Sequence, residues 1–180
     1  KMGYGKYMMT TAWTAPSLIT QYAEDESHIS WNEVDNFSSI VTMNGKGTST
    51  SKPLLHISRQ PRNDIKMKTH FLKATGFNFI NLPTSVSGVV CKVTMNRHGR
   101  ISDDTIQLTY NGELIGENYA TKNLNPISIY GSNSDTWKIE NLDLTMVRDS
   151  SFGIILRFRS HPNWPHSTTP LIYSIELQVH

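Results

Sequence analysis

The sequence predicts an all-β protein: an antiparallel β-sandwich of the jelly-roll type with an extended arm at its N-terminus. Apolar side chains recur at every second position in much of the chain after residue 69, the pattern of strands with one buried face. Glycine, asparagine and serine clusters separate these segments at intervals of about ten residues, as in sandwiches and barrels. No long segment carries the apolar stripe of an amphipathic helix.

The composition favours a β-rich domain. Of the 180 residues, 37% are hydrophobic and only 18% are charged, so serine, threonine and asparagine must cover much of the surface. These side chains compete with helical backbone hydrogen bonds. A chain of this length suits one domain, which can bury roughly two-thirds of its unfolded surface.

Charge and hydropathy exclude several classes of partner. The formal net charge is +2 and the basic residues are spread along the chain, so we expect no nucleic-acid partner. No apolar run approaches the roughly 20 residues that cross a bilayer, and residues 1–20 lack the apolar centre of a signal peptide. We therefore expect a soluble protein with no membrane partner. Cys91, the single cysteine, is interpreted as a small buried hydrophobe.

Residues 1–30 form the predicted arm, because they show no sustained period of two or 3.6. Their apolar members are Met8, Met9, Trp13, Leu18 and Ile19. A solvated tail would not contain so many apolar side chains, so we expect the arm to lie either on its own domain or on a neighbouring subunit. Deleting it is expected to leave the sandwich, residues 31–180, folded.

Residues 31–68 are expected to hold two short strands, at 39–41 and 54–55. The cluster NGKGTSTSKP between them is interpreted as a loop. It lacks the spacing of a phosphate-binding loop.

Residues 89–95 and 105–110 are predicted to form an antiparallel pair. Their inward residues are expected to be Val89, Cys91, Val93, Met95, Ile106, Leu108 and Tyr110. Residues 96–100 between them contain the glycine and asparagine of a chain reversal. Asn111-Gly112 directly afterwards is the strongest hairpin signal, because both residues of a type I′ turn need positive φ.

The last third of the chain is expected to supply three further strands. Residues 127–130 form a short one, and Trp137 and the 140s follow, with room for one helical turn. In the next strand Phe152, Ile154, Leu156 and Phe158 face one way, and Ile155, Arg157 and Arg159 the other. In the final strand Leu171, Tyr173, Ile175, Leu177 and Val179 alternate with Ile172, Ser174, Glu176 and Gln178.

Several short motifs occur in a characteristic order. They are Trp31-Asn32, LKATGFNF at 72–79, LP at 82–83, VSGV at 86–89, ISDD at 101–104, IQL at 106–108, IGEN at 115–118, YGS at 130–132, DTW at 135–137 and FGI at 152–154. The stretch from Trp31 to the C-terminus resembles a recurrent domain of tail, fibre, neck and other virion proteins of tailed bacteriophages. The resemblance implies a jelly-roll-like sandwich in a virion component and supplies no catalytic residues. Glu33 and Lys138 depart from it, where proline and glycine are usual.

No constellation of residues indicates catalysis. His161 and His166, in the loop HPNWPH, have no cysteine or acidic neighbour to complete a zinc site. The aspartates Asp103, Asp104, Asp143 and Asp149 are interpreted as turn residues next to strands. No G-x-S-x-G motif occurs, so acyl transfer has no anchor. We expect neither an enzyme nor a metal or cofactor.

The function that these observations favour is a structural one. The chain is expected to be a component of a phage particle, in the tail, baseplate, fibre base or neck, assembled in the host cytoplasm. It would pack against other virion proteins and copies of itself, and head decoration is a variant of this role. The candidate interaction residues are Met8, Met9, Trp13, Leu18, Ile19, Arg157, Arg159 and Trp164. The two arginines are interpreted as a solvated edge or an intersubunit ion-pair surface.

A carbohydrate-binding sandwich is the alternative. Jelly rolls host many unrelated functions, and aromatic rings can stack on the apolar faces of sugars. The candidates are Trp137, Trp164, Tyr110 and Tyr130. This alternative makes a glycan a possible partner.

Overall fold

The computed structural model describes residues 9–24, 30–33, 55–56, 68–98, 101–122, 125–160 and 169–180. The strands are β1 (Leu18–Tyr22), β2 (Asn32–Glu33), β3 (Leu55–His56), β4 (Phe71–Thr75), β5 (Val89–His98), β6 (Ile101–Tyr110), β7 (Glu113–Ile115), β8 (Ile127–Gly131), β9 (Gly153–Ser160) and β10 (Thr169–Val179). One short helix, α1 (Leu144–Arg148), lies between β8 and β9.

The described strands form two five-stranded antiparallel sheets. The first sheet has the order β1-β4-β9-β6-β7 and the second has the order β2-β3-β10-β5-β8. From β3 to β10 successive strands alternate between the sheets, except where β6 and β7 form a hairpin. This connectivity is that of a jelly roll, so the predicted fold class is confirmed.

The inner faces of the two sheets form one apolar core. Among the described residues, its largest fully buried side chains are Trp137, Phe152, Phe158, Leu72, Ile106, Leu108, Ile154, Leu156, Ile172 and Ile175. The predicted inward residues of β5 are buried, and so are the four predicted on one face of the segment leading into β9. The recurrence of apolar residues at every second position therefore predicted the core face of these strands correctly.

The predicted pairing of residues 89–95 with 105–110 is wrong, because β5 and β6 lie in opposite sheets. β5 pairs with β10 and β8, whereas β6 pairs with β9 and β7. A short polar connection can join two strands within one sheet or lead the chain to the opposite sheet. Its composition alone does not distinguish the two.

The predicted hairpin at Asn111-Gly112 is confirmed. Tyr110 faces Glu113 in the register, and φ is 52° at Asn111 and 79° at Gly112, as a type I′ turn requires. Lys138 also has a positive φ, of 57°. It therefore adopts the left-handed conformation that glycine adopts at low cost.

The final strand contains a bulge between Ile172 and Ser174. Because one extra residue reverses the alternation, Ile172 is buried on the same side as Ile175, while Tyr173 is only half-buried. The predicted inward face is therefore correct from Ile175 onward and wrong at Tyr173.

The helical turn expected in the 140s is confirmed as α1. Asp143 caps it, because its carboxylate accepts a hydrogen bond from the Met146 backbone amide at 2.9 Å, and such a cap satisfies an amide that has no helical partner. Asp149 follows α1 and accepts one from the Ser151 amide at 2.8 Å. These two aspartates thus flank a helix, although we had placed them beside a strand.

The described part of the predicted arm belongs to the sandwich itself. Thr11 donates its amide hydrogen to the Val179 carbonyl at 3.0 Å, and Thr14 and Leu177 exchange two backbone hydrogen bonds at 2.9 and 3.0 Å. Residues 18–22 then form β1 and pair with β4 at the edge of the first sheet. Residues 9–24 therefore lie on their own domain, which is one of the two positions expected for the arm. A domain boundary at residue 30 would separate β1 from the sheet to which it belongs.

Some predictions fall outside the described residues. They concern Met8, the strand expected at 39–41, the loop that follows it, Leu54 and the loop HPNWPH with Trp164.

Candidate interaction surface

Strand β8 forms one edge of the second sheet, and β5 is the only described strand that borders it. The amide of Met95 donates a hydrogen bond to the carbonyl of Pro126 at 2.8 Å. In an antiparallel ladder alternate residues direct their peptide groups toward the same neighbour. Residues 126, 128 and 130 therefore face β5, and Ile127 and Ile129 direct their N–H and C=O groups to the open edge.

The side chains of the same two isoleucines are exposed. Ile127 is 58% exposed and Ile129 is 53% exposed, whereas Ser128 and Tyr130 between and after them are buried. The strand therefore buries its hydroxyl groups and exposes its aliphatic ones. We call Ile127, Ile129 and their outward peptide groups the β8 edge surface.

The buried hydroxyls explain this inverted arrangement. Tyr130 donates a hydrogen bond to the carboxylate of Asp103 at 2.9 Å, and the Ser128 hydroxyl donates one to the Asn125 carbonyl at 3.3 Å. A buried polar group that has a partner avoids a desolvation cost of several kcal/mol. The inner face of β8 is thus specified by polar contacts, and its isoleucines take the outer face.

Asp103 contacts both β8 and the connection that precedes it. Its carboxylate is fully buried and also accepts hydrogen bonds from the backbone amides of Thr121 and Lys122, at 2.9 and 2.6 Å. It thereby ties the connection between β7 and β8 to β6. Burial and, after it, the charge of Asp103 raise the pKa of Tyr130 far above its usual value, so this phenol remains protonated and donates.

The role of Asp103 is not predicted from the sequence, where Asp103 and Asp104 are interpreted as turn residues. Both lie within β6, with an irregularity in the register between Asp103 and Thr105. Ile101 and Ile106 are both buried although five positions separate them, so no period-two signal extends through the two aspartates.

Strand β8 itself carries no charged side chain, although Lys92 of β5 faces Ile129 in the register, with its Nζ 3.5 Å from the carboxylate of Glu176. Residues 123–134 contain no acidic or basic side chain. The edge strand of the first sheet on the same side, β7, is only three residues long and begins with Glu113, and Glu117 follows it closely. Natural sheet edges are protected from pairing by charge and short length, so β7 carries this protection and β8 lacks the charge.

The predicted interaction residues of the N-terminal segment do not converge on one patch. Trp13 lies on the second sheet, where the Nζ of Lys92 is 4.3 Å from its ring centroid. Leu18 and Ile19 lie on β1 in the first sheet, Leu18 54% exposed and Ile19 only 5%. Met9 is exposed.

Arg157 is buried, with 7% of its surface exposed, and it lies on the central strand of the first sheet. Its Nε donates to Asp104 at 2.7 Å, a second guanidinium nitrogen donates to Glu24 at 3.2 Å, and the guanidinium lies 4.0 Å from the ring centroid of Phe71. The interpretation of Arg157 as part of a solvated edge is therefore wrong. Arg159 is half-buried and donates to the Ser102 hydroxyl at 3.1 Å.

The Arg157 contacts change the acidity of Asp104. Burial raises the pKa of this carboxyl, but the hydrogen bond and charge of Arg157, with the charge of Lys68, lower it more, so that it lies below its ordinary value of 3.8. The Lys68 Nζ lies 3.5 Å from Asp104. These charges satisfy one another within the molecule.

Two of the four aromatic residues considered for sugar stacking lie in the core. Trp137 is fully buried and donates a hydrogen bond to the Val89 carbonyl at 2.8 Å. Tyr130 is buried against Asp103, and Tyr110 is half-buried. Trp137 and Tyr130 therefore present no face to a glycan.

The described residues hold no group of three or more histidine, cysteine, aspartate or glutamate side chains that could bind a metal ion. Cys91 is buried, and burial, with the nearby Glu176, raises the pKa of its thiol. None of the described helices has the length and apolar character needed to traverse a lipid bilayer.

No protein-family model, curated protein or solved structure matches this chain.

Proposed function

We propose that this chain is a structural subunit of a tailed-bacteriophage particle and that it acts by packing against other protein chains. The observation that carries the proposal is the β8 edge surface, where two exposed isoleucines coincide with outward peptide groups that no other described strand borders, on a strand without charged side chains. An edge of this kind is a template for pairing with another chain. The phage assignment itself rests on the ordered motifs of residues 31–180.

The arrangement of the other polar groups supports an architectural role. Asp103 fastens the β7–β8 connection, and Arg157 joins β9 to Asp104 on β6 and to Glu24 beyond β1. These contacts crosslink strands that are distant in sequence. Among them, only the Asp103 contacts lie next to β8, and they order the connection that leads into it before any partner binds, which lowers the entropic cost of binding.

The proposal is tested on particles purified from infected cells by density centrifugation. Quantitative mass spectrometry should find this chain in a fixed molar ratio to the major capsid protein, and the ratio should persist after a high-salt wash. A host protein of similar abundance serves as the control for carry-over. Detection in the infected-cell extract but not in washed particles would contradict the proposal.

A further inference from the structure

We infer that the β8 edge surface binds the same surface of a second copy of this chain, so that β8 pairs with β8 antiparallel about a twofold axis. The inference rests on the proposed packing function and names the partner. This pairing would join the second sheets of the two copies into one continuous sheet with ten of the described strands.

The segment Ile127-Ser128-Ile129 is palindromic, and the pairing we infer has its twofold axis midway between the Ser128 residues of the two copies. In this register Ile127 of each copy faces Ile129 of the other. Both residues direct their N–H and C=O groups outward, so each facing pair can exchange two hydrogen bonds. A C2 interface requires a self-complementary surface, and this one matches itself in hydrogen bonding.

The side chains favour the same arrangement. Ile127 and Ile129 lie on the outer face of their sheet, and pairing places the isoleucines of the two copies side by side. Cross-strand neighbours on one face have Cβ atoms about 5 Å apart, so the four side chains form one apolar patch. Each isoleucine would lose exposed apolar area that the single chain cannot bury.

Charge does not oppose self-association at this edge. Residues 123–134 are uncharged, and the nearest charges along the chain are Lys122 before β8 and Asp135 after it. The carboxylate of Asp135 accepts hydrogen bonds from the Tyr119 hydroxyl and the Trp137 amide, at 2.9 and 2.7 Å, so it is engaged within its own chain. Pairing along residues 127–129 therefore places no like charges of β8 opposite one another.

The comparison with β7 shows why β8 is the edge that pairs. Leu114 on β7 is also exposed, but it lies between Glu113 and Glu117, and an antiparallel β7 pair would bring several carboxylates of both copies together. Like charges directly opposite each other destabilise a strand pair. This edge is therefore unsuited to a second copy.

The test is the oligomeric state of the full chain by sedimentation velocity. We expect the wild-type chain to dimerise in the micromolar range. The double variant Ile127→Glu, Ile129→Glu should be monomeric, because pairing would place carboxylates opposite one another. Ile80→Glu, which charges an isoleucine that is even more exposed but lies outside the strands, should dimerise like the wild type. Circular dichroism of each variant checks the fold.

A charge-swap experiment tests whether the two β8 edges contact each other directly. The variant Ile127→Lys, Ile129→Lys should also be monomeric alone, but an equimolar mixture with the double glutamate variant should form a 1:1 heterodimer. Pairing of the two edges places each lysine opposite a glutamate. If the variants were monomeric only because they had lost apolar surface, mixing them would not restore the dimer. Two folded variants that remain monomeric when mixed would overturn the pairing.

Different measurements test self-association and membership of a phage particle. A wild-type chain that is monomeric at about 100 µM, well above a micromolar Kd, overturns self-association. If the double glutamate variant then also fails to enter particles, the edge binds a different virion protein. If the wild-type chain dimerises but is absent from particles, the phage proposal fails and the self-association stands.

Discussion

Single polar residues decide which side of a strand is buried in this molecule. Tyr130 and Ser128 are inside β8 because Asp103 and the Asn125 carbonyl provide them with partners. The aliphatic residues Ile127 and Ile129 remain outside as a consequence. A rule based on hydrophobicity alone would have placed the isoleucines in the core.

Replacing Asp103 should be among the most damaging single substitutions at this end of the sandwich. Asp103→Ala leaves the Tyr130 hydroxyl and the Thr121 and Lys122 amides without their acceptor. We expect a loss of about 3 kcal/mol in the free energy of unfolding, because buried donors lose their charged partner. Urea denaturation measures it. The exposed control Glu140→Ala should change stability by less than about 0.5 kcal/mol, and a similarly small loss at Asp103 would contradict the role given to it.

The Asp104–Arg157 pair should make stability depend on pH. The folded-state pKa of Asp104 lies below its ordinary value of 3.8, so its contribution is present above that value and is lost as pH falls through the folded pKa. Asp104→Asn should cost about 2 kcal/mol at pH 6, the range for a hydrogen bond between charged groups.

The test for Asp104 compares wild type and Asp104→Asn by urea denaturation at pH 6 and at several values below 3.8. The difference in unfolding free energy should shrink as the solution becomes more acidic, because the protonated wild-type carboxyl then resembles the amide. A difference that stays constant across this range would show that the pair contributes nothing through its charge.

At the scale of the elements, β1 shows how a segment without a strong pattern becomes a strand. Residues 18–22 have no run of alternating apolar positions long enough to predict a strand, yet they pair along the whole of β4. The edge of β4 supplies the hydrogen bonds, and Ile19 supplies one buried anchor. Tertiary context thus overrides a weak local preference, as is common for edge strands.

Leu18 and Ile19 offer a matched pair of substitutions on β1. Ile19→Ala should lower the free energy of unfolding by about 3 kcal/mol, because it removes buried methyl groups and leaves a cavity. Leu18→Ala, one residue away and exposed, should change it by less than about 0.5 kcal/mol. Chemical denaturation of the two variants measures this, and equal losses would mean that the two residues contribute to folding alike.

The hairpin and the β5–β6 connection show which turns a sequence specifies. Asn111-Gly112 requires positive φ at both positions and joins strands by two residues, so its geometry permits little else. The segment after β5 contains similar residue types but leads to the opposite sheet. Turn composition identifies a reversal, and only the hydrogen-bonded partners of the strands show where the chain goes.

At the scale of the whole molecule, the N-terminal segment links the two sheets. Residues 11–14 border β10 in the second sheet, and β1 borders β4 in the first. The expectation that the sandwich would remain folded without residues 1–30 is therefore replaced by its opposite. Removal uncovers the edges of β10 and β4 and opens the core beside Ile19.

We expect deletion of residues 1–24 to destabilise the protein by about 5 kcal/mol, which is comparable with the whole stability of a small domain. Urea unfolding should show a lower midpoint, and light scattering should show aggregation through the uncovered edges. A synthetic peptide of residues 9–24 added in excess should restore the midpoint, whereas a scrambled peptide should not. An unchanged midpoint for the truncated chain would disprove the linking role.

The sequence by itself determined the fold class, the core face of β5 and of most of β9 and β10, and the hairpin at Asn111. These follow from the alternation of side chains along a strand and from the φ values that glycine and asparagine allow, both of which are local properties. Only the tertiary structure decided that β5 and β6 separate, that Arg157 is buried and that β8 exposes its isoleucines. Those outcomes depend on which distant segment supplies each hydrogen bond and each counter-charge, and backbone ladders form irrespective of side-chain identity.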